Sequence, residues 1–319
     1  GVASAAPPHC WIIHAVITAP NAIRLPTERS MPAVIITIVM PMAMMAGLSH
    51  WQAESDGTPL RDITLGALLA ETAGRFGDRP AIVFDETDAH LKVNWSYSEL
   101  DARVNDLARG LMAIGIERND RVAILSPNRP EWILLEYALA RIGAVLVTVN
   151  PSYRQAELAY LLSQGRVSTL FAVGAYRGFS IAAMIGDMLP ELAAAVEGRL
   201  EGRAEFPDLR RVVAIGSDGI PGAMAFADIA ARADATGAAE LAGRSMEVSP
   251  DAIAQVQYTS GTTGKPKGAM LTHRGIVNNA ILAGRRAGYS ERDVMVSAMP
   301  FFHTAGCVCN VIGMAAVGG

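Results

Sequence analysis

The chain has 319 residues, of which 51% are hydrophobic, and its formal net charge is −4. This length and apolar content suffice for a buried core and predict one large or two medium domains. The mild acidity and the aromatic content of only 6% count against a nucleic-acid-binding protein, which needs a clustered basic surface or stacking platforms. We expect a soluble, globular, intracellular protein.

The first fifty residues contain an apolar segment that has more than one interpretation. Residues 31–48, MPAVIITIVMPMAMMAGL, carry no charge and are long enough to be a membrane candidate. Two prolines interrupt any helix there. We predict that residues 1–50 are an unstructured or apolar leader. We favour a true start at Met44 or Met45, with a weak membrane anchor as the alternative.

Helical and strand patterns alternate from residue 95 onward. The stretch SYSELDARVNDLARGLMAIG places four apolar residues on one helical face, and these are Leu100, Val104, Leu107 and Leu111. Ser98 with Asp101 resembles a capping box, and Gly115 is placed to end the helix.

Apolar runs of strand length and further helices follow this first helix. Strands are predicted over 121–125, 144–150, 168–173 and 209–216, and helices over 131–142, from about 154, and over 181–196. This order predicts an α/β fold with layered, mainly parallel sheets and helices on their faces.

Three cysteines occur in the chain, and they are Cys10, Cys307 and Cys309. An odd and small number does not indicate a disulfide framework. No second pair completes a tetrahedral zinc site. Buried free thiols are therefore expected.

A glycine-rich stretch, YTSGTTGKPKG, runs from Tyr258 to Gly268 after an apolar alternation that predicts a strand. Its anion-binding residues are the hydroxyl residues Thr259, Ser260, Thr262 and Thr263, the glycines Gly261, Gly264 and Gly268, and the lysines Lys265 and Lys267. Glycines let backbone amides approach an anion, and hydroxyl and ammonium groups add donors. Pro266 follows Lys265, so this is not the Walker pattern. A phosphate loop is predicted, with a surface hairpin as the alternative.

This stretch, continued by AMLTHRG, resembles the signature of the AMP-forming adenylating enzymes, which include the acyl-CoA synthetases. NRPEWILLEYALARIGAVLVTVNPSYRQAEL and MPFFHTAG (299–306) are similar to segments of the same family. The resemblance covers about residues 60–319. It implies that residues 51–319 are a truncated AMP-binding (adenylation) domain, the N-terminal part of the adenylate-forming fold without its small C-terminal domain and catalytic lysine.

The resemblance implies that the intact parent uses ATP, Mg²⁺ and coenzyme A as co-substrate to convert a carboxylic acid, and a fatty acid above all, to an acyl-adenylate and then to acyl-CoA. Partners would be these small molecules and no nucleic acid. The expected location is cytoplasmic, with peripheral or N-terminal membrane association as the alternative. An aryl-CoA ligase, a peptide-synthetase adenylation domain, a membrane-anchored structural protein and a non-catalytic nucleotide- or partner-binding fragment, inactive alone, remain open.

The same resemblance implies roles for individual residues. Thr259 through Lys265, Lys267 and Gly268 would bind the ATP phosphates, and Thr259 would also be a Mg²⁺ ligand. Catalytic contacts are expected from Lys267 and from His303, which would touch the adenylate or the acyl tunnel. Phe301, Phe302, His303 and Gly306 would shape the acyl pocket. His273 has the weaker case and is expected to cap or pack against the helix that follows.

Overall fold

The computed structural model describes residues 59–86, 91–201, 204–259 and 266–319. The predicted leader, Cys10 and loop residues 260–265 lie outside these ranges, so the predictions made for them stay predictions. Leu60–Gly319 fold as one unit. Among the described residues, no helix combines the length and apolar character needed to cross a membrane.

Strands and helices alternate along most of this unit. The strands are β1 (Pro80–Glu86), β2 (Leu91–Ser96), β3 (Arg121–Leu125), β4 (Val145–Val149), β5 (Thr169–Val173), β6 (Ala175–Tyr176), β7 (Phe179–Ser180), β8 (Arg211–Ile215), β9 (Met224–Ala225), β10 (Ile253–Thr259) and β11 (Lys267–Thr272). The α-helices are α1 (Leu65–Phe76), α2 (Tyr97–Ala113), α3 (Pro130–Ile142), α4 (Gln155–Gln164), α5 (Ile181–Met188), α6 (Ala227–Ala230), α7 (Ala238–Met246), α8 (His273–Ala287) and α9 (Gly313–Val317). Short 3₁₀ turns cover Pro190–Ala194 and Ala233–Ala235, and Ala305–Ile312 is π-helical.

Within the described ranges, seven strands form the main sheet in the order β11-β10-β4-β3-β5-β8-β9. All neighbours in it are parallel except β10 and β11, which form an antiparallel pair. Strands β3, β4, β5 and β8 are continuous apolar runs because both faces of the sheet are covered. The predicted α/β class is confirmed.

The predicted cap of α2 is wrong by two residues. Ser96 Oγ accepts a hydrogen bond from the Glu99 amide at 3.2 Å, and Glu99 Oε2 accepts one from the Ser96 amide at 2.8 Å. These reciprocal bonds form the capping box, so Ser98 and Asp101 do not. Gly115 follows the end of the helix as predicted, with φ of 89°.

Asp101 instead stabilises a buried guanidinium. Arg141, near the end of α3, donates to Asp101 Oδ1 at 2.7 Å and to the Gly66 carbonyl at 3.0 Å, and it also donates to Asn105. A buried charge is costly unless it is paired and hydrogen-bonded. These contacts therefore explain how Arg141, a residue of α3, can be buried against α1 and α2.

Candidate functional site

The described flanks of the predicted phosphate loop, Thr259 and Lys267, lie at the carboxyl edge of the parallel sheet. Thr259 ends β10, and the pairing of Gln257 with Thr148 and of Thr148 with Ile124 puts the ends of β10, β4 and β3 at the same level. Lys267 opens β11 directly opposite Thr259. Ligands of open α/β sheets bind at this edge, so the fold puts both flanks of the loop where a ligand is expected.

The described flanks of the loop present a cation and a hydroxyl group. Thr259 and Lys267 are both exposed, and the Thr259 hydroxyl lies 3.5 Å from the Lys267 carbonyl oxygen. Lys267 forms no ion pair with any residue that the structure describes. The lysines of the sequence are Lys92, Lys265 and Lys267, so most of the lysine charge belongs to this loop.

Two contacts fix the base of the loop. A Cβ atom on Gly268 would lie only 2.9 Å from the Val256 Cγ1 atom on the neighbouring strand, so a side chain there would collide with β10. On the same face of β10, the Tyr258 hydroxyl donates to Gln164 of α4. Burial raises the pKa of Tyr258 to about 12, so the phenol stays protonated and keeps this hydrogen bond at physiological pH.

The 299–306 segment, which resembles the acyl-pocket motif, lies against the carboxyl end of β3. Asn128 follows β3 by three residues, and its side-chain amide makes two hydrogen bonds to the segment. Its Oδ1 accepts from the Phe301 amide at 2.8 Å, and its Nδ2 donates to the Met299 carbonyl at 2.8 Å. Because β3 and β10 are separated only by β4, this segment and Thr259 belong to strand ends about 10 Å apart.

The predicted pocket residues differ in their surroundings. Phe301 is buried against Trp132 of α3, with ring centroids 5.6 Å apart, while Phe302 is half-buried. His303 is exposed, and its Nδ1 accepts from the Ala305 amide at 3.1 Å. His303 is therefore not a core histidine.

Gly306 is buried at the start of the π-helical turn that follows His303. A Cβ atom on it would lie 2.3 Å from the Pro300 carbonyl oxygen, so only glycine lets the chain fold back here. This close approach compacts the 299–306 segment and brings Cys307 against the sheet.

A cluster of buried polar side chains links this turn to β10. Gln257 Nε2 donates to Cys307 Sγ at 3.2 Å and to Gln255 Oε1 at 3.1 Å, and Gln255 Nε2 donates to Glu136 Oε1 at 2.6 Å. Cys307 is a buried free thiol, as predicted, and Cys309 is half-buried. We refer to Glu136, Gln255, Gln257 and Cys307 as the polar bridge between α3, β10 and the π-helical turn.

His273, at the first residue of α8, is fully buried and contacts a different helix from the one expected. Its Nδ1 accepts from the Leu65 amide at the start of α1, at 3.3 Å, and so satisfies one of the free N–H groups of that helix end. Of the two predicted alternatives, capping of the following helix is wrong, because the Thr272 hydroxyl caps α8 by accepting from the Gly275 amide. Burial lowers the pKa of His273 to about 4, so the side chain is neutral in the folded protein at pH 7.

His273 is expected to make the protein less stable in acid. Because its pKa is lower in the folded chain than the unfolded value near 6.5, the unfolded chain binds the proton first, and stability falls as the pH drops from about 6.5 to 4. The full loss is about 3 kcal/mol. Urea unfolding at pH 7 and pH 4.5 would measure it. His273→Asn, which keeps an acceptor near Leu65, should show a smaller acid loss, and the exposed His303→Asn should match the wild type. Equal acid losses in all three proteins would contradict the assignment.

The sequence of this chain was compared with models of known protein families. The family model for AMP-binding enzymes matches residues 69–319. The chain belongs to the AMP-binding enzyme family. The resemblance predicted from the glycine-rich stretch is thus confirmed.

Individual members of the AMP-binding enzyme family give the same picture. The chain is 38% identical over 255 residues to YngI of Bacillus subtilis, covering 80% of this chain and 46% of the relative. It is 32% identical over 294 residues to the mitochondrial medium-chain acyl-CoA ligase ACSF2 of Mus musculus, covering 91% and 46%. The chain therefore spans about half the length of these relatives.

Solved structures share the fold. The N-terminal domain of FACL13 from Mycobacterium tuberculosis matches with a TM-score of 0.60 at 26% identity, over 80% of this chain and 55% of that one. The long-chain-fatty-acid-CoA ligase FadD1 from Archaeoglobus fulgidus matches with a TM-score of 0.65 at 23% identity, over 84% and 48%.

Some of the sequence-predicted site residues of this AMP-binding family member come together at one sheet edge. Thr259, Lys267 and Gly268 flank the loop, while the pocket residues Phe301, Phe302, His303 and Gly306 lie by the end of β3. Ser260, Gly261, Thr262, Thr263, Gly264 and Lys265 lie outside the described residues, and their phosphate contacts stay predictions.

Sequence reasoning missed Asn128 and the polar bridge. The PNRP turn directly after a buried strand was a usable signal for Asn128, because side chains at such strand ends face ligands. The described residues contain no group of three or more His, Cys, Asp or Glu side chains that could hold a metal ion. The assignment of Mg²⁺ to Thr259 stays a prediction from the resemblance, and its hydroxyl oxygen is a ligand type that suits this cation.

Proposed function

We propose that the complete natural protein activates a hydrophobic carboxylic acid with ATP, forming an acyl-adenylate and then acyl-CoA. One observation carries this proposal: both flanks of the phosphate-loop motif and the 299–306 segment lie at the same carboxyl edge of the sheet. The named acyl-CoA ligases among the relatives support it.

Charge is the main physical problem of this reaction, because the acid and the ATP phosphates are all anions. A cation on the loop flank, Lys267, would lower their mutual repulsion and position the phosphates. Thr259 would hold Mg²⁺ through its hydroxyl, and the ion would supply further positive charge to the phosphates when bound. Oriented donors of this kind favour attack of the carboxylate on the α-phosphate by fixing the reacting atoms. The bond between the α-phosphorus and the oxygen that bridges to the β-phosphate breaks, and pyrophosphate leaves. The thiol of coenzyme A then attacks the acyl carbon, and AMP leaves with the electron pair of the broken acyl–oxygen bond.

The chemistry around the 299–306 segment favours an apolar acid. Phe302 is half-buried beside the packed pair of Phe301 and Trp132, and apolar surroundings suit a hydrocarbon or aryl acid better than an amino acid. His303, exposed at the edge, would contact the adenylate or the entrance of the acyl site. A straight-chain fatty acid is the first substrate to test, and an aryl acid is the second.

Lys267→Ala is expected to weaken ATP binding by about 10–100-fold, because hydrogen bonds to charged groups contribute about 1.5–3 kcal/mol. Isothermal titration with MgATP would measure it. Because Lys267 is exposed, thermal stability should not change. Lys92→Ala is the matched control, since Lys92 is an exposed lysine on β2 that pairs with Asp85. Equal ATP affinity in both variants would contradict the role of Lys267.

The reaction itself is tested by acid-dependent exchange of labelled pyrophosphate into ATP. The complete natural protein is assayed with octanoate, with benzoate and with leucine. Exchange with octanoate supports the proposal, exchange with benzoate alone identifies an aryl-acid ligase, and exchange with leucine alone favours amino-acid adenylation. ATP binding without exchange for any acid in a broader panel would leave the non-catalytic nucleotide-binding alternative.

A further inference from the structure

The 299–306 segment is attached to the sheet at both of its ends by side-chain amides. At its start, the half-buried Asn128 makes one bond to the Met299 carbonyl and one to the Phe301 amide, both 2.8 Å long. A side-chain amide that both donates to and accepts from a backbone segment makes the same pair of hydrogen bonds as a neighbouring strand. It therefore fixes the direction of the segment as well as its distance.

Just beyond its other end, the segment is held through Cys307. Gln257 donates to Cys307 Sγ at 3.2 Å, and both residues are buried, with relative exposures of 6% and 0%. Gln257 is itself held by Gln255. The thiol sulfur is a weak acceptor, but this N–H of the buried Gln257 amide would lose its partner if the turn moved, which is costly. The contact therefore favours one position of the π-helical turn.

His303 lies between the two attachment points. Its backbone carbonyl accepts from the Gly306 amide at 2.9 Å and from the Cys307 amide at 3.2 Å, while its side chain is exposed. The position of this imidazole therefore depends on where Asn128 and Gln257 hold the segment. Neither residue belongs to the glycine-rich motif: Asn128 lies in the turn after β3, and Gln257 lies on β10.

We infer that Asn128 and Gln257 are positioning residues for acid binding: they hold the 299–306 segment, with His303, at the carboxyl ends of β3 and β10. The inference rests on the proposed function. Loss of either contact should impair use of the acid and leave ATP binding nearly unchanged, because Thr259 ends β10 and Lys267 begins β11, outside this segment.

The test uses the complete natural protein and the exchange reaction with octanoate, or with whichever acid of the panel is active. Asn128→Ala is expected to lower kcat/KM for the acid by about 10–100-fold, as the loss of two hydrogen bonds predicts. KM for ATP should change by no more than about twofold. Gln257→Met, which keeps the volume and removes the donor, should have the same effect.

Asn278→Ala is the matched control. Asn278 holds another backbone segment in the same manner, accepting from the Arg61 amide at 2.7 Å and donating to the Arg61 carbonyl at 2.8 Å. It lies on α8, away from the carboxyl edge. Its loss should lower thermal stability to a similar degree without changing kcat/KM for the acid.

Four outcomes of these measurements decide whether the inference holds. An acid-specific loss in Asn128→Ala and Gln257→Met, absent in Asn278→Ala, supports the inference. The inference is overturned if both variants exchange pyrophosphate as the wild type does. It is also overturned if kcat/KM falls equally for the acid and for ATP, as in a general defect. In both cases the proposed function stands. No exchange by the wild type with any acid overturns the proposed function and this inference together.

If Asn128→Ala does not fold, Asn128→Asp decides instead. Asp keeps the acceptor for the Phe301 amide and loses the donor to the Met299 carbonyl, so a smaller acid-specific loss is expected. Hydrogen exchange of the amides at 301–307, measured by mass spectrometry, should be faster in this variant than in the wild type. Unchanged protection together with unchanged kinetics would overturn the inference.

Discussion

Glu136→Gln is expected to raise the free energy of unfolding by about 3 kcal/mol at pH 7. Glu136 is 1% exposed. Gln255 donates to one of its carboxyl oxygens, and the other has no hydrogen-bond partner among the described residues. Burial raises the pKa of Glu136 to about 8, whereas the unfolded carboxyl titrates near 4.5. The glutamine side chain keeps an oxygen that accepts from Gln255. Because it does not ionise, the unfolded variant is not stabilised by releasing a proton at this position.

The sign of the pH dependence follows from proton binding. Between about pH 4.5 and pH 8 the folded chain holds a proton on Glu136 that the unfolded chain has released, so wild-type stability falls as the pH rises through this window. The difference in free energy between Glu136→Gln and the wild type should therefore be small at pH 4.5 and grow with pH, by about 1.4 kcal/mol per pH unit.

Urea unfolding of both proteins at pH 4.5, 6 and 7.5 would measure this difference. Glu131→Gln is the matched control, because Glu131 lies on the same helix in an ion pair with Arg129 that is only partly buried. Its effect should stay within about 1 kcal/mol. A difference for Glu136→Gln that does not grow with pH would mean that Glu136 is not held neutral in the folded protein.

The local pattern of the sequence predicts much of this fold, because covered parallel strands are apolar throughout. RVAIL is both the predicted and the observed β3, and α3 begins one residue before its predicted start. The cap of α2 was misplaced because the sequence offers two overlapping candidates, Ser96 with Glu99 and Ser98 with Asp101. Only the structure reveals that Arg141, forty residues away, uses Asp101.

The polar bridge could not be predicted from local patterns. Gln255 and Gln257 alternate with apolar residues along β10, which normally indicates a strand with one solvated face. Here that face is covered by α3 and by the π-helical turn, so the glutamines pair with Glu136 and Cys307, which are distant in sequence. The motif of the candidate site could be found in the sequence because it is local. The contacts that hold the 299–306 segment depend on tertiary packing.

Trp132→Ala is expected to lower the free energy of unfolding by about 3–5 kcal/mol, the range for deleting a buried aromatic ring. Trp132 is fully buried on α3 and packs against Phe301 at 5.6 Å. Its removal leaves a cavity beneath the 299–306 segment, at a place where α3 and that segment meet. Urea unfolding followed by circular dichroism would measure the loss.

Trp132→Phe separates the ring from the indole N–H. The Nε1 atom of Trp132 is buried without a hydrogen-bond partner in the described part of the chain, so its loss carries no penalty and offsets part of the cost of the smaller ring. We expect this variant to lose less than about 1.5 kcal/mol. The control is Trp95→Ala, because Trp95 is only half-buried and contacts Arg103, and its cost should be near 1 kcal/mol. If Trp132→Phe were as destabilising as Trp132→Ala, the indole N–H would have a partner, and packing against Phe301 would not explain the contribution of Trp132.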